Sequence, residues 1–269
     1  MVVAYLSVSI RLAAKIPPGG CPDSKLEERN QKGMPSAPHF TPEALKFLRG
    51  LKRNNDREWF EARKPTYESE LKAPLLSVIS AINDAMHDFA PHHIRPAQKI
   101  AMRIYRDIRF SADKTPYKPR VAAWWSRAGL EKTSGAGFYF SLNPTELTIA
   151  AGSYMPEREQ LLAIRRHLSE SGAGQHKQLR SLLAGKKLKT KLEQFEGHRL
   201  TRPPKGFDPN DPAMDLLLCR QWGIAARLPA ETATTPALLK EIVDRFRLAA
   251  PIVALLNEPL VGRPKKPLF

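Results

Sequence analysis

The chain has 269 residues, with 43 Lys and Arg against 27 Asp and Glu, a net charge of +16 and 42% hydrophobic residues. That length holds one large domain or two small ones, and the apolar fraction is enough to bury a sizeable core. No apolar run reaches the roughly 18–20 residues that a membrane-spanning helix needs, and the basic balance suits polyanionic partners.

Residues 1–37 differ from the rest. Val2 to Ile10 is a short apolar run, but the basic residues Arg11 and Lys15 follow it, whereas a signal peptide carries them in front. Pro, Gly, Ser and charged residues dominate the remainder, which reads as a disordered leader. A single domain is expected over 38–260, with a flexible basic tail at 261–269.

The domain opens at Phe40-Thr41-Pro42-Glu43. Thr41 suits a helix cap, Pro42 the first helical position and Glu43 the positive end of the helix dipole. Phe40 and Leu45 have the spacing of a hydrophobic staple. Asn54-Asn55-Asp56 ends this helix and caps a second one carrying Trp59 and Phe60. Pro65 and Pro74 are expected to interrupt, and apolar residues from Leu75 to Phe89 recur at helical spacing. From 100 to 152 the period changes to two. Arg103 to Arg109 and Val121 to Trp125 read as strands, and Phe138 to Ala151 as a hairpin turning at Asn143-Pro144-Thr145. Helices return after Pro156, around Leu179 to Leu183 and around Leu188. Arg202 to Pro209 is a stiff connector, Pro212 to Leu218 a short helix and Trp222 to Leu228 a last strand. Thr235-Pro236 starts a final helix, which Pro251 should kink or break. This order predicts an α+β fold, a mainly antiparallel sheet covered by helices.

The cysteines, Cys21 and Cys219, lie far apart and form neither a disulfide framework nor a zinc pattern, so a reducing, cytoplasmic setting is the default. His92 and His93 are adjacent and point in different directions, and no metal site is read. Neither a dinucleotide fingerprint nor a phosphate loop follows a strand, and no cofactor is expected.

The chemistry concentrates between Arg103 and Lys118. On a strand, Arg103, Tyr105, Asp107 and Arg109 share one face, with the two guanidiniums about 7 Å apart. They can hold a phosphate or carboxylate bidentately. Asp107 would orient them and Tyr105 would add a hydroxyl. Lys114, Tyr117 and Lys118 would close over the site, joined by Lys205 from the stiff connector. The ligand would be a phosphorylated small molecule or a nucleic-acid phosphate. Arg106 falls on the opposite, core-facing side and needs an acid partner such as Glu58 or Glu61. The same residues equally suit a ladder of charge pairs that fixes sheet register, in a non-catalytic interaction or nucleic-acid-binding module. For an enzyme acting on a phosphorylated substrate, Asp107 or Asp113 would serve as general base and Lys114 or Tyr117 as acid. No nucleophile stands out, since Ser111 has no histidine beside it in sequence.

Three stretches carry a family likeness: Phe47 to Phe60, Arg103 to Lys118 and Arg202 to Asp208. On these, the region from Phe40 to Leu260 resembles domain of unknown function 2461, a family of bacteria and fungi. The resemblance implies one intact domain and the three motif regions as candidates for one site; it implies no reaction. Arg63 stands where the family pattern has Asn.

Overall fold

A computed structural model describes residues 37–109, 112–130, 135–194 and 197–262. Residues 1–36 of the expected leader (1–37) and 263–269 of the expected tail, with Phe110 and Ser111, lie outside the described residues. Residues 37–262 fall within one compact unit. Among the described residues, no helix is long and apolar enough to cross a membrane.

Helix α1 (Pro42–Arg53) starts as its sequence dictates. Thr41 Oγ1 accepts from Ala44 N at 3.3 Å and donates to Glu70 Oε2 at 2.6 Å. Phe47, Leu48 and Leu51 form its buried face. Asn54 Nδ2 donates to Gly50 O, and Asp56 Oδ1 accepts from Trp59 N to cap the turn Arg57–Glu61.

The expected break at Pro74 does not occur. A turn at Lys64–Tyr67 runs into a π turn, Glu68–Lys72, and then directly into α2 (Ala73–Met86). Ala73 N bonds to Glu68 O, five residues back. A π turn takes up one extra residue and shifts the carbonyl that the proline ring would otherwise meet.

The sheet has the order β1-β2-β3-β5-β4 and is antiparallel throughout. Its strands are β1 (Val121–Trp125), β2 (Ala136–Leu142), β3 (Glu146–Ser153), β4 (Glu193–Gln194) and β5 (Trp222–Pro229). Asn143 Oδ1 accepts from Thr145 N and Glu146 N, both at 2.9 Å, and so builds the β2–β3 turn. Glycines 137, 152 and 223 stand side by side across three strands. At Gly152, with φ +134°, a Cβ would lie 2.2 Å from Trp222 O, so only glycine fits there.

Helices α3 (Arg158–Leu168) and α4 (His176–Ala184) follow β3, and α5 (Ala237–Asn257) packs across β2, β3 and α2. Contrary to the sequence expectation, α5 runs through Pro251 unbroken. An interior proline costs about 3 kcal/mol. Beyond it, Ile252, Val253, Leu255 and Leu256 are all buried. The amide of Asn257 then bonds both Ala136 N and Ala136 O at 2.9 Å. Those contacts hold the last turns in register. The core of the domain includes Trp125, Phe138, Phe140 and Phe246, with Phe138 and Phe246 ring centres 5.0 Å apart.

His93 is 4% exposed and meets Phe138 edge-on at 5.0 Å. Burial pushes its pKa down from 6.5 to about 4, and Arg127, His92 and Arg95 add to the effect. A histidine held neutral in the fold contributes stability that is complete above its unfolded pKa and is lost as pH falls toward the folded value. Stability should therefore drop between pH 6.5 and about 4, by an amount of order 3 kcal/mol from this residue. Urea unfolding of wild type and His93→Gln across that window should show a flatter slope for the variant.

Candidate functional site

The segment from Ala101 to Arg106 is not a regular strand. It makes two isolated bridges, Ala101↔Ala123 and Tyr105↔Tyr117. Lys118 N donates to Ile104 O at 2.8 Å and Arg106 N to Pro116 O at 2.9 Å. Pro116 and Pro119 have no N–H to give, so no continuous ladder forms between these pairs. The alternation survives all the same: Arg103, Tyr105, Asp107 and Arg109 are exposed, while Ile104, Arg106 and Ile108 turn inward.

Tyr117 anchors the segment. Its N–H donates to Asn55 Oδ1 at 3.0 Å, and Asn55 Nδ2 donates to its carbonyl at 2.9 Å. Its ring stacks on Phe60, 4.1 Å between centres and 18° between planes. The residue is 3% exposed, and burial raises its phenol pKa, with Tyr105 and Glu61 adding. Tyr117 is therefore a packing residue beneath the surface and not a donor on it. Trp59 lies beside Phe47, and Arg63 places its guanidinium 4.6 Å from the Trp59 ring.

The loop beyond Arg106 carries its own counterions. Arg109 Nε and Nη2 bond Asp107 Oδ1 and Oδ2 at 3.0 and 2.8 Å. Side-chain and backbone bonds from Arg109 hold Asp107 well below the usual carboxylate range. Asp113 accepts from the Thr115 hydroxyl and N–H, and pairs with Arg106 Nη1 at 2.7 Å. The Thr115 bonds lower its pKa, and the charge of Arg106 adds to them. The acid partner of Arg106 is thus Asp113, not Glu58 or Glu61; Glu61 pairs with Lys64. Lys114 Nζ donates to Ile108 O at 3.0 Å and closes the loop.

Beside this loop lies a cleft of about 350 Å³. Lys52 from α1, Arg106, Lys118 and Arg120 line it, with the Asn143–Thr145 turn as its other wall. Among the described residues, no carboxylate lines it. The side chains of Lys52, Lys118 and Arg120 form no hydrogen bond or ion pair with any described residue. Burial lowers the Lys118 pKa, and the charges of Arg120, Arg103 and Arg106 lower it further.

Of the residues expected from sequence to hold an anion, Lys118 lines this cleft. Arg103 is close enough to act on Lys118 electrostatically. Tyr105 is 46% exposed and leans on Tyr117. Asp107, Arg109, Asp113 and Lys114 are bound up in the loop. Lys205 is exposed and does not line the cleft. Beyond its connector stands Asp211, which accepts from Glu170 N at the end of α3. Sequence reasoning missed Lys52 and Arg120. Lys52 reads as an ordinary helix-end cation, and Arg120 stands just past the motif that drew attention.

The family model described as Conserved hypothetical protein (DUF2461) matches residues 43–254, and the chain belongs to that family. No curated protein matches it.

Two variants separate anchoring from ligand contact. Tyr117→Phe should change stability by no more than about 0.5 kcal/mol, since the hydroxyl makes no bond with a described residue. Asn55→Ala removes both bonds to the Tyr117 backbone and should cost about 1–2 kcal/mol in thermal or urea unfolding.

Proposed function

We propose that this domain binds a phosphorylated ligand in the cleft formed by Lys52, Arg106, Lys118 and Arg120. One observation carries the reading: four cations line one concavity in which no described residue supplies a carboxylate, and three of the four have no partner among the described residues. Like charges so placed repel one another; burial, and then the charges of Arg120, Arg103 and Arg106, lower the Lys118 pKa. A phosphate dianion would offset the repulsion. The two guanidiniums offer planar forks and the two lysines compact charges, a combination that suits phosphate oxygens. The volume lies within the range of small-molecule sites. A nucleic-acid phosphate is the second source of the same chemistry, favoured by the net charge of +16.

Binding is favoured over catalysis. Asp107 and Asp113 have depressed pKa values and are already bonded to Arg109 and to Thr115 and Arg106, which makes them weak general bases. Lys114 is committed to a carbonyl and Tyr117 is buried. The free thiol of Cys219 is in keeping with a reducing, cytoplasmic setting.

Inorganic phosphate should raise the melting temperature of the wild type, because a ligand that binds only the folded state stabilises it by mass action. The double variant Lys118→Gln/Arg120→Gln should lose that rise while folding normally. Arg109→Gln should keep it, since Arg109 serves Asp107. Equal stabilisation of the Lys118/Arg120 variant would place the anion elsewhere. A steep fall of affinity for single-stranded DNA with salt, abolished by the same double variant, would identify a nucleic-acid backbone as the source.

A further inference from the structure

A second cavity, of about 250 Å³, lies between α4, β5 and the end of α5. Leu179, Leu183, Trp222 and Ile252 give it apolar walls, and Gln221, Cys219 and Arg199 supply polar ones. It shares no residue with the cationic cleft. Gln221 is only 9% exposed, yet its side-chain amide makes no hydrogen bond with any described residue. Its amide therefore has two donors and an acceptor to offer a group in the cavity. It is also confined, because a Cβ on Gly197 would stand 3.0 Å from Gln221 Oε1.

The surroundings select the charge of a ligand. Arg199 is exposed and commits one nitrogen, Nη2, to Asp215 O at 2.8 Å. Its remaining N–H groups make no bond with a described residue. Arg165 is 7% exposed, donates to Cys219 O at 3.0 Å and has no carboxylate partner among the described residues. Burial lowers its pKa, and the charge of Arg220 depresses it further. The nearby acid, Asp215, is already paired with Arg180. Among the described residues, no carboxylate lines the cavity.

We propose that this cavity binds a small amphipathic carboxylate, its apolar body against Leu179, Leu183, Trp222 and Ile252 and its head group on Gln221 and Arg199. The volume is just below the roughly 300 Å³ where drug-sized sites begin. The body is therefore short, a medium-length acyl chain or a single ring. Burial raises the Cys219 thiol pKa, so it acts as wall and not as nucleophile.

Octanoate and octanamide, titrated calorimetrically into the full chain, test the idea. Octanoate should bind and should slow alkylation of Cys219 by iodoacetamide, read by peptide mass. Octanamide should bind at least about tenfold more weakly. Gln221→Leu and Arg199→Gln should each weaken octanoate about tenfold or more, leaving phosphate stabilisation intact. Gln221→Glu keeps the size of the side chain and should abolish octanoate binding by repulsion, so a failure of Gln221→Leu to fold does not spare the idea. No octanoate binding to the wild type, undiminished binding by the variants, or equal binding of octanamide would each overturn it.

Discussion

The amide of Asn55 stands in for a missing length of sheet. It donates to and accepts from the backbone of Tyr117 as a neighbouring strand would, at a place where prolines leave the chain short of N–H donors. Phe60 closes the other side with a parallel stack. Lys118 comes directly after the anchor, Arg106 bonds across to Pro116, and Arg120 leaves the Lys118 carbonyl through a tight turn. Lys118 and Arg120 therefore follow directly on a point fixed by an uncharged side chain on the helix junction. Asn257 repeats the device elsewhere in the domain, where it holds the end of α5 to Ala136.

Two kinds of charge coexist a few residues apart. In the loop, Asp107 with Arg109 and Asp113 with Arg106 cancel locally. The Asp107–Arg109 pair is largely exposed and contributes little to stability; both pairs order the loop. In the cleft no described acid answers Lys52, Lys118 and Arg120. The loop thus removes its own acids from competition with an incoming anion, and Arg106 belongs to both sets.

The helices, the hairpin and the last strand were legible because each is local. Caps at Thr41 and Asp56, the turn at Asn143 and a period of two over Phe138 to Ala151 state themselves within a few residues. Other features were not. The segment after Arg103 has the alternation of a strand without its hydrogen bonds, because the prolines that matter lie on the facing chain. Pro251 sits inside a helix that buried Ile252 to Leu256 keep continuous, a tertiary effect invisible to local propensity. The two-residue strand Glu193–Gln194 is too short to show a period. Of the Arg103–Lys118 motif, Arg106 and Lys118 line the proposed cleft. The cleft itself needed Lys52 and Asn143, which only the fold brings beside it.

The π turn at Glu68–Lys72 has a consequence for how this chain tolerates changes in length. An α-helix advances about 100° per residue, and the wider turn absorbs one residue without rotating the helix beyond it. Tyr67 before it, and Val78, Ile79 and Ile82 after it, therefore keep the angular relation of a single helix despite the extra residue. Loss of one residue here would leave the flanking faces in phase but tighten the coil into a regular one. The Pro74 ring would then press on the carbonyl one turn before it. The turn behaves as an expansion joint: it lets a proline pass through a continuous rod, and it makes the number of residues between Tyr67 and Pro74 a mechanical constant of the fold.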